Sequence, residues 1–492
     1  MGPTLARWGL ATAALGCAAC GSSVATEASA ITLTDAAAGS DPDAGPEPDV
    51  ADAMSGSEAG TPETGDVIVN PRLAHQTISG FGAADVFAAG PLTSEQARLF
   101  FDPNDGIGLS ILRVGIDVNG EALGSGVISD VQVAASYGAI VWATPWSPPP
   151  GYKDNNDEDE GGHLCAAAGQ GVCSAGDYYA WATTLASFPG WLTSQTGVPV
   201  YAISPQNEPD YAASYASCLY TGSEMLNFIE VLGPMLSNLS PPVKLIAPEP
   251  EAWADLWTGA ADCSQTNDYG PCIHSDPAAD SLVAIFATHD YAFQPIAPPS
   301  WVTQPIWETE VSGVQGSAQA GPSIDISNGI AVADWIYQAL VTGGASAWHY
   351  WWLVSLGGTD NEGLLFPNGQ GPGGGDINSP PKRLYTVGNF SKFVRPGYQR
   401  IDVSGPVPGG VHVAAFDNPA GGAVVIVAIN TNGDPTSLSM FVSGAGWPSQ
   451  MTPTVTSATA DLSPQPDVAL SDARLTVTLQ PESVTTFVGN VP

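Results

Sequence analysis

A carboxylic acid and an amide stand side by side where an apolar run of the sequence ends. Asn207 and Glu208 follow residues 198–204, which have the composition of a buried strand, and Pro209 marks the end of that strand because proline cannot donate to a sheet. A carboxyl group there could give a proton to a bound molecule or take one from it. A lone Asn-Glu-Pro segment is more often a polar turn, so the functional interpretation needs a second reactive group.

Two further carboxylates, Glu308 and Glu310, end the segment 305–310, which also has the composition of a buried strand. Two carboxyl groups at one site can hydrolyse a glycosidic bond: one protonates the leaving oxygen, and the other attacks the anomeric carbon or activates water. Strand alternation places Glu308 and Glu310 on the same face of the strand, so their orientation does not show which of them is the second catalytic carboxyl group. We favour Glu310, because it is nearer the carboxyl end of the strand. Glu308, two residues deeper, would have to be paired in the barrel interior or displaced by a local bulge.

The elements that would position these groups form a repeating pattern of apolar runs and helical stretches. Eight such alternations indicate one closed parallel barrel rather than an open sheet. The carboxyl ends of all barrel strands meet at one face, so the fourth and seventh strands would bring Glu208 and Glu310 together. The predicted strands are 76–83, 110–116, 139–146, 198–204, 243–247, 284–291, 305–310 and 345–352.

After residue 396 the pattern changes to short strands separated by Gly, Pro, Asn and Asp turns, which is typical of an antiparallel sandwich. The predicted fold class is therefore α/β: a (β/α)8 TIM barrel over 67–396, with a C-terminal antiparallel β-sandwich side domain over 397–492. Residues 66–74 could add an edge strand and make the side domain discontinuous. That domain could bind carbohydrate or only support the barrel; no exposed aromatic platform is visible in the sequence, so support is favoured.

Basic and aromatic residues near the predicted strand ends complete the candidate site. Arg113 could keep a neighbouring carboxylate ionised, and the alternative is an ion pair at the bottom of the barrel. Any single aromatic ring is more often part of the core, but a cluster at several strand ends favours a cleft in which rings stack on sugars. The candidate substrate contacts are Asn207, Arg113, Trp146, Tyr211, His289, Tyr291, Trp348 and Tyr350.

The N-terminal region has the features of an exported bacterial protein. Residues 1–20 combine a positive charge, a short apolar core and small side chains, which predicts a signal peptide. The context of Cys17 resembles a lipoprotein cleavage site, Cys20 is a competing acceptor, and secretion without a lipid is the alternative. Residues 21–66 contain almost no large apolar side chains and are expected to form a disordered acidic tether. We expect a secreted protein or a cell-surface lipoprotein of the outer membrane.

Charge and cysteine content narrow the partners. The formal net charge of −37, with only 12 Lys and Arg, argues against nucleic acid and makes an acidic polymer an awkward partner. Two close cysteine pairs are expected to form disulfides in an exported protein, with one cysteine left over and the connectivity open. The histidines are scattered without zinc spacing, so we expect no metal or cofactor, and we expect a monomer. The pairs are Cys165 with Cys173 and Cys263 with Cys272; Cys218 is left over.

In ordered combination, several motifs resemble glycoside hydrolase family 30, whose members are retaining (β/α)8 enzymes with a side β-domain. The resemblance covers roughly 67–490 and implies that Glu208 is the acid/base, Glu310 the nucleophile and Asn207 a contact to the sugar 2-hydroxyl. The motifs are His75–Ala83, Leu112–Arg113, Ala143–Pro149, Ser204–Asp210, Trp307–Glu310, Trp348–Trp352 and Lys382–Gly397.

The family includes glucuronoxylanases, other xylanases, β-1,6-galactanases, β-1,6-glucanases and glucosylceramidases. The glucuronoxylanase group reads a glucuronate branch with an Arg-containing loop after the eighth strand, whereas here no Arg or Lys occurs between Lys244 and Lys382. We therefore predict a retaining endo-β-1,4-xylanase that does not depend on glucuronate. The alternatives are an endo-β-1,6-galactanase or β-1,6-glucanase, a glucosylceramidase and, from another class, a catalytically dead sugar-binding protein.

Overall fold

The computed structural model describes residues 61–88, 90–165, 178–258, 263–264, 269–313, 321–443 and 447–490. The predicted signal peptide and nearly all of the predicted tether lie outside these residues, so both stay predictions. Within the described part of the chain, no helix combines the length and the apolar character that crossing a membrane requires.

Eight parallel strands form a closed barrel, as the sequence predicted. They pair in chain order from β2 to β9, and β9 closes the ring by pairing with both β8 and β2. A short strand, β10 (Gly363–Leu365), extends β9 beyond the ring. The barrel strands are β2 (Gly80–Asp85), β3 (Ile111–Ile116), β4 (Ile140–Pro145), β5 (Val200–Ile203), β6 (Lys244–Pro248), β7 (Val283–His289), β8 (Ile306–Glu310) and β9 (Ala347–Val354).

Helices follow the strands and cover the outside of the barrel. Thr93 and Thr221 each begin a helix with a capping box, in which the threonine hydroxyl accepts from a backbone N–H and a Gln or Glu side chain accepts from the threonine N–H. The helices are α1 (Ser94–Phe101), α2 (Val127–Ser136), α3 (Tyr178–Thr196), α4 (Gly222–Ser237), α5 (Trp253–Trp257), α6 (Tyr269–Ser275), α7 (Pro277–Leu282), α8 (Ile326–Val341) and α9 (Lys382–Ser391).

The barrel interior is packed with side chains below the level of the polar groups. The rings of Trp142 and Trp307 meet edge to face at 6.3 Å, and His349 packs against both. Burial lowers the pKa of His349 to about 3, so its ring is neutral. The neutral ring accepts from the Trp142 indole (3.3 Å) and donates to the backbone oxygen of Glu308 (2.9 Å). These packed side chains fill the barrel interior beneath the carboxyl ends of the strands.

The side domain is a mostly antiparallel sheet that takes its first strand from the other end of the chain. β1 (Val67–Thr77) lies between β11, with which it is antiparallel, and β14, with which it is parallel. Arg474 fixes the start of β1 by donating to the Asp66 carboxylate at 2.8 Å. The remaining strands are β11 (Gln399–Ser404), β12 (Val411–Asp417), β13 (Val424–Asn430), β14 (Thr436–Val442), β15 (Gln450–Ser457), β16 (Ala460–Pro464), β17 (Val468–Ala469), β18 (Arg474–Leu479) and β19 (Ser483–Gly489).

The sandwich shares a core with the barrel helices. Phe416 and Val427 belong to the same buried apolar cluster as the helices of the barrel. The Asn389 side chain in α9 donates to Thr486 Oγ1 at 3.0 Å, and the Thr486 hydroxyl donates back to the Asn389 backbone oxygen at 2.6 Å. A groove on the sandwich has one aromatic side chain in its lining, Phe487, which is only 2 % exposed and so offers no open face to a sugar.

One of the two expected cysteine pairs is a disulfide in the structure, Cys263–Cys272. Cys165 is disulfide-bonded as well, and Cys173 lies outside the described residues. Cys218 is buried with a free thiol.

Candidate active site

Arg113 holds together groups from three other barrel strands. Its side chain points into the barrel from β3 and is completely buried. It donates through Nη1 to Glu310 Oε2, and through Nη2 to Asn207 Oδ1 at 2.6 Å and Glu249 Oε1 at 2.7 Å. The alternative of an ion pair at the bottom of the barrel is therefore wrong. Because Asn207 Oδ1 is occupied, the amide NH2 of Asn207 remains as its donor.

His289, at the end of β7, is the second buried cation of the site. Its Nδ1 lies 2.9 Å from Glu208 Oε1, and its Nε2 lies 3.4 Å from Glu249 Oε1. Burial alone would lower the pKa of His289, but the charge of Glu310 and the hydrogen bonds to Glu208 and Glu249 raise it to about 10. The ring is therefore an imidazolium at neutral pH and donates from both nitrogens.

The two carboxyl groups that the sequence singled out are brought together. One oxygen of Glu208, one ring nitrogen of His289 and one oxygen of Glu310 all lie within 4.8 Å of one another. Separations of about 5 to 5.5 Å between carboxyl groups are typical of retaining glycosidases, and about 6.5 to 9.5 Å of inverting ones. The short separation therefore favours direct attack by one carboxylate. The same atoms could in principle ligate a metal, but a histidine that donates from both nitrogens has no lone pair for one.

The Glu310 carboxyl is almost completely buried and receives three stabilising contacts. The Tyr291 hydroxyl donates to Oε1 at 2.6 Å, Arg113 donates to Oε2, and His289 Nε2 lies 3.9 Å from Oε2. Burial raises the pKa of Glu310, and the Glu208 charge adds to this, while His289, Arg113 and Tyr291 act in the opposite direction. The two donors and the His289 charge oppose the effect of burial and favour the ionised carboxylate that the attack requires.

Glu308 does not share the face of Glu310, contrary to the alternation that the sequence suggested. The pairing of β8 with β7 shifts between Glu308 and Glu310, so that Thr309 is an extra residue on β8. Glu308 is paired with Trp348, which packs in the outer core with the helices, whereas Trp307 packs inside the barrel. The bulge therefore turns Glu310 into the site and leaves Glu308 in the barrel wall.

Several expected substrate contacts have other tasks in the structure. Arg113 and His289 are fully buried and direct their N–H groups at carboxylates, so the expectation that they contact substrate is wrong. It is also wrong for Trp348 and Tyr350, which are fully buried on the outer side of β9, where the Tyr350 hydroxyl donates to the backbone of Asn361.

Among the other expected contacts, Tyr211 is better placed for substrate. Tyr211 is 43 % exposed beside the site, and its pKa is raised by burial and by the nearby charges of Glu251 and Glu208. Trp146 is only 2 % exposed, and its ring lies 4.9 Å from the Arg113 guanidinium and packs against Trp351, so it offers little open surface to a sugar.

The structure adds residues that the sequence analysis missed. Glu249 follows β6 and contacts both buried cations. Trp351 lies over the Arg113 guanidinium at 5.6 Å and against Trp146 at 5.7 Å. Tyr215 is 38 % exposed, and burial together with the charges of Glu208 and Glu310 raises its pKa. One signal in the sequence could have found Glu249. It stands before Pro250 at the end of a strand, just as Glu208 stands before Pro209.

Two carboxyl groups held together at the carboxyl ends of the strands of a parallel barrel form the arrangement that glycoside hydrolases use. Comparison with known proteins agrees. Residues 397–487 match the family model of the glycosyl hydrolase family 30 beta sandwich domain. Over 440 residues the chain is 30% identical to the glucuronoxylanase XynC of Bacillus subtilis, covering 86% of this chain and 91% of that protein.

Solved structures give the same result. The family 30 subfamily 8 xylanase Xyn30A of Clostridium acetobutylicum superposes with a TM-score of 0.69 at 28% identity, covering 87% of this chain and 100% of that one. The catalytic domain of xylanase C of Talaromyces cellulolyticus gives 0.70 at 26% identity, covering 86% and 99%. The chain belongs to glycoside hydrolase family 30.

Proposed function

We propose that this glycoside hydrolase is a retaining endo-β-glycanase that cleaves xylan, with Glu310 as nucleophile and Glu208 as acid/base. The observation that carries the mechanism is the approach of the two carboxyl groups to within 4.8 Å. The xylan assignment is supported by the relatives, one named as a glucuronoxylanase and two as xylanases, at 26% to 30% identity over more than four-fifths of this chain.

The first chemical step forms a covalent intermediate. The Glu310 carboxylate attacks the anomeric carbon while Glu208 gives its proton to the glycosidic oxygen, which leaves as the alcohol. Tyr291 and Arg113 hold the two Glu310 oxygens. We assign the NH2 group of Asn207, whose Oδ1 accepts from Arg113, to the sugar 2-hydroxyl, as the family resemblance implies.

The second step reverses the roles of the carboxyl groups. Glu208, now a carboxylate, takes a proton from a water molecule, and the resulting hydroxide displaces Glu310 from the anomeric carbon. Two inversions at the same carbon retain its configuration. Product NMR taken early in the reaction should therefore show the β-anomer first; an initial α-anomer would exclude the double displacement.

We propose further that the enzyme does not require a glucuronate branch. The side chains of Glu251 and Glu362 are partly exposed and lie near the reacting carboxyl groups. Burial and the charge of Glu208 raise the pKa of Glu251. Burial and the charges of Asp360 and Glu310 raise the pKa of Glu362 to about 7. The sequence supplies no Lys or Arg from 245 to 381 to balance them. Such surroundings favour neutral sugars over a uronate.

The test compares one polymer before and after its charge is removed. Initial rates on glucuronoxylan would be measured beside rates on the same preparation with its uronate carboxyl groups reduced to neutral alcohols. We expect the reduced polymer to be cleaved at least as fast. A loss of tenfold or more on reduction would show that glucuronate is required.

A parallel substrate series tests the choice of xylan itself. Arabinoxylan, β-1,6-galactan, β-1,6-glucan and an aryl β-glucoside would be assayed under the same conditions. Cleavage of a β-1,6-linked polymer or of the glucoside, with none of any xylan, would transfer the proposal to the corresponding alternative substrate. A polymer substrate also accords with the proposed export of the protein to the cell surface or the medium, which rests on residues 1–66.

A further inference from the structure

Glu249 is a fully buried carboxylate that contacts groups on both sides of the site. Its Oε1 accepts from Arg113 at 2.7 Å and lies 3.4 Å from His289 Nε2, and its Oε2 accepts from the Thr144 hydroxyl at 2.9 Å. Arg113 in turn donates to Glu310, and His289 to Glu208. One carboxylate therefore connects the residues that hold the proposed nucleophile and those that hold the proposed acid/base.

The backbone of Glu249 makes a further connection. The Glu208 N–H donates to the Glu249 backbone oxygen at 3.1 Å, and the Glu249 N–H donates to the Ala287 oxygen at 3.0 Å. Glu208 and Glu249 both have a left-handed backbone, with φ of 44° and 73°, a conformation that residues with a side chain rarely adopt. Two strained strand ends thus support each other directly under the site.

The charges explain why this position carries an acid. Burial alone would raise the pKa of Glu249, but the charge of Arg113 and the hydrogen bond from His289 outweigh burial and lower it, so Glu249 is a carboxylate. Glu208 must be protonated to begin the reaction. While Glu208 is protonated, Glu249 and Glu310 are the carboxylates that balance the buried charges of Arg113 and His289. Without Glu249, only Glu310 would remain, and burying unbalanced charge is costly.

We propose that Glu249 is a positioning residue whose negative charge keeps His289 cationic and holds Arg113 and His289 in the places from which they orient Glu310 and Glu208. Its side chain is completely buried and its oxygens are occupied by protein donors, so it does not contact substrate. The proposal rests on the catalytic roles proposed above for Glu208 and Glu310.

Two variants separate the charge of Glu249 from its shape. Glu249→Gln keeps the shape and removes the charge, whereas Glu249→Asp keeps the charge and shortens the side chain. We expect Glu249→Gln to lower kcat by about 10²-fold, the size of effect that misplaced reacting groups produce, with KM changed less than about threefold because no substrate contact is lost. Glu249→Asp should lose less activity than Glu249→Gln; the reverse order would assign Glu249 a role through shape alone.

Nitrogen-15 NMR of labelled histidine gives a readout that needs no substrate. The titratable groups facing His289 are Glu208, Glu249, Glu251, Glu310, Tyr291 and His349. The His289 signals, assigned by their loss in His289→Asn, should remain those of an imidazolium above pH 8 in the wild type and in Glu249→Asp. In Glu249→Gln the ring should lose its proton about one pH unit lower or more.

The outcomes distinguish this inference from the proposed function. If Glu208→Gln and Glu310→Gln leave hydrolysis unchanged, the catalytic assignment fails. If those variants are inactive while Glu249→Gln keeps the wild-type kcat and His289 titration, only the role of Glu249 fails. Should Glu249→Gln not fold, the wild-type titration decides, since a neutral His289 at pH 7 would overturn the proposal.

Discussion

Glu308 and Glu310 are separated by one residue of β8, and both are buried, but their surroundings are opposite. Glu310 faces the barrel interior, where Arg113, Tyr291 and His289 contact its oxygens. Among the described residues, neither oxygen of Glu308 accepts a hydrogen bond of ordinary geometry, and a nearby donor is the Trp348 indole. Burial, then the charges of Asp290 and Glu310, raise the pKa of Glu308 well above its ordinary value, and the Trp348 indole offsets this only in part.

The difference shows that burial alone does not make a carboxyl group reactive. Burial favours the neutral acid at both positions, and only the side with two cations and a hydroxyl donor can keep a carboxylate. The extra residue in β8, Thr309, turns Glu310 and not Glu308 toward these cations and the hydroxyl donor. The comparison therefore predicts large effects on the inner side of the strand and small ones on the outer side.

The largest effect is expected for Glu310→Gln. An amide cannot attack the anomeric carbon, so kcat on xylan should fall by roughly 10⁴-fold or more, as is typical when a nucleophile is lost. The matched control is Glu308→Gln in the same strand, which should keep kcat within about threefold. Comparable losses in the two variants would contradict the division of β8 into a reactive and an unreactive side.

Glu208→Gln should come next, with a loss of about 10²- to 10⁴-fold on xylan, because the leaving sugar oxygen then departs without a proton. An aryl xyloside with an acidic phenol needs little protonation, so its first step should be much less affected. A burst of phenol followed by slow turnover would support the assignment. Equal losses on the polymer and on the activated substrate would contradict it.

Tyr291→Phe removes one donor from Glu310 and should have a smaller effect. The Tyr291 hydrogen bond lowers the pKa of Glu310, so its loss should raise that pKa. Glu310 must be ionised to attack, and the acidic limb of the kcat/KM profile should therefore move to higher pH. An unchanged limb would show that this bond does not set the ionisation. Tyr337→Phe, outside the site, is the control and should leave the limb in place.

The smallest effect on activity, and one with a distinct pH signature, is expected for Glu308→Gln. The folded-state pKa of Glu308 is raised above the ordinary value of 4.5, so its contribution to stability is complete below that value and is lost as pH rises. Glutamine has no such dependence. The Tm of the variant relative to wild type should therefore increase from pH 4 to pH 8. A constant or falling difference would mean that Glu308 is not a neutral acid.

The sequence was sufficient for the barrel and for the positions of Glu208 and Glu310, because in a parallel barrel the carboxyl end of every strand reaches the same face. A local bulge was only one of two ways to accommodate Glu308, because the bulge at Thr309 depends on the register between β7 and β8, which the sequence does not show. Trp348 and Tyr350 were expected at the site because a run of aromatic residues does not show which ring faces inward. Packing of His349 with Trp142 and Trp307 settles this.

The location of β1 shows that the sandwich is not simply a domain that follows the barrel in the chain. The chain forms one strand of the sandwich, leaves it to build the whole barrel, and returns beside its point of departure: Thr77 pairs with Gln399, and the Ile78 N–H donates to the Tyr398 oxygen at 2.7 Å. The barrel is thus an insertion in the sandwich, with its entry and exit side by side. A fragment beginning at residue 397 would lack an internal strand of its own sheet, and exchange of the barrel between family members requires both this junction and the shared core of helices and sandwich to match.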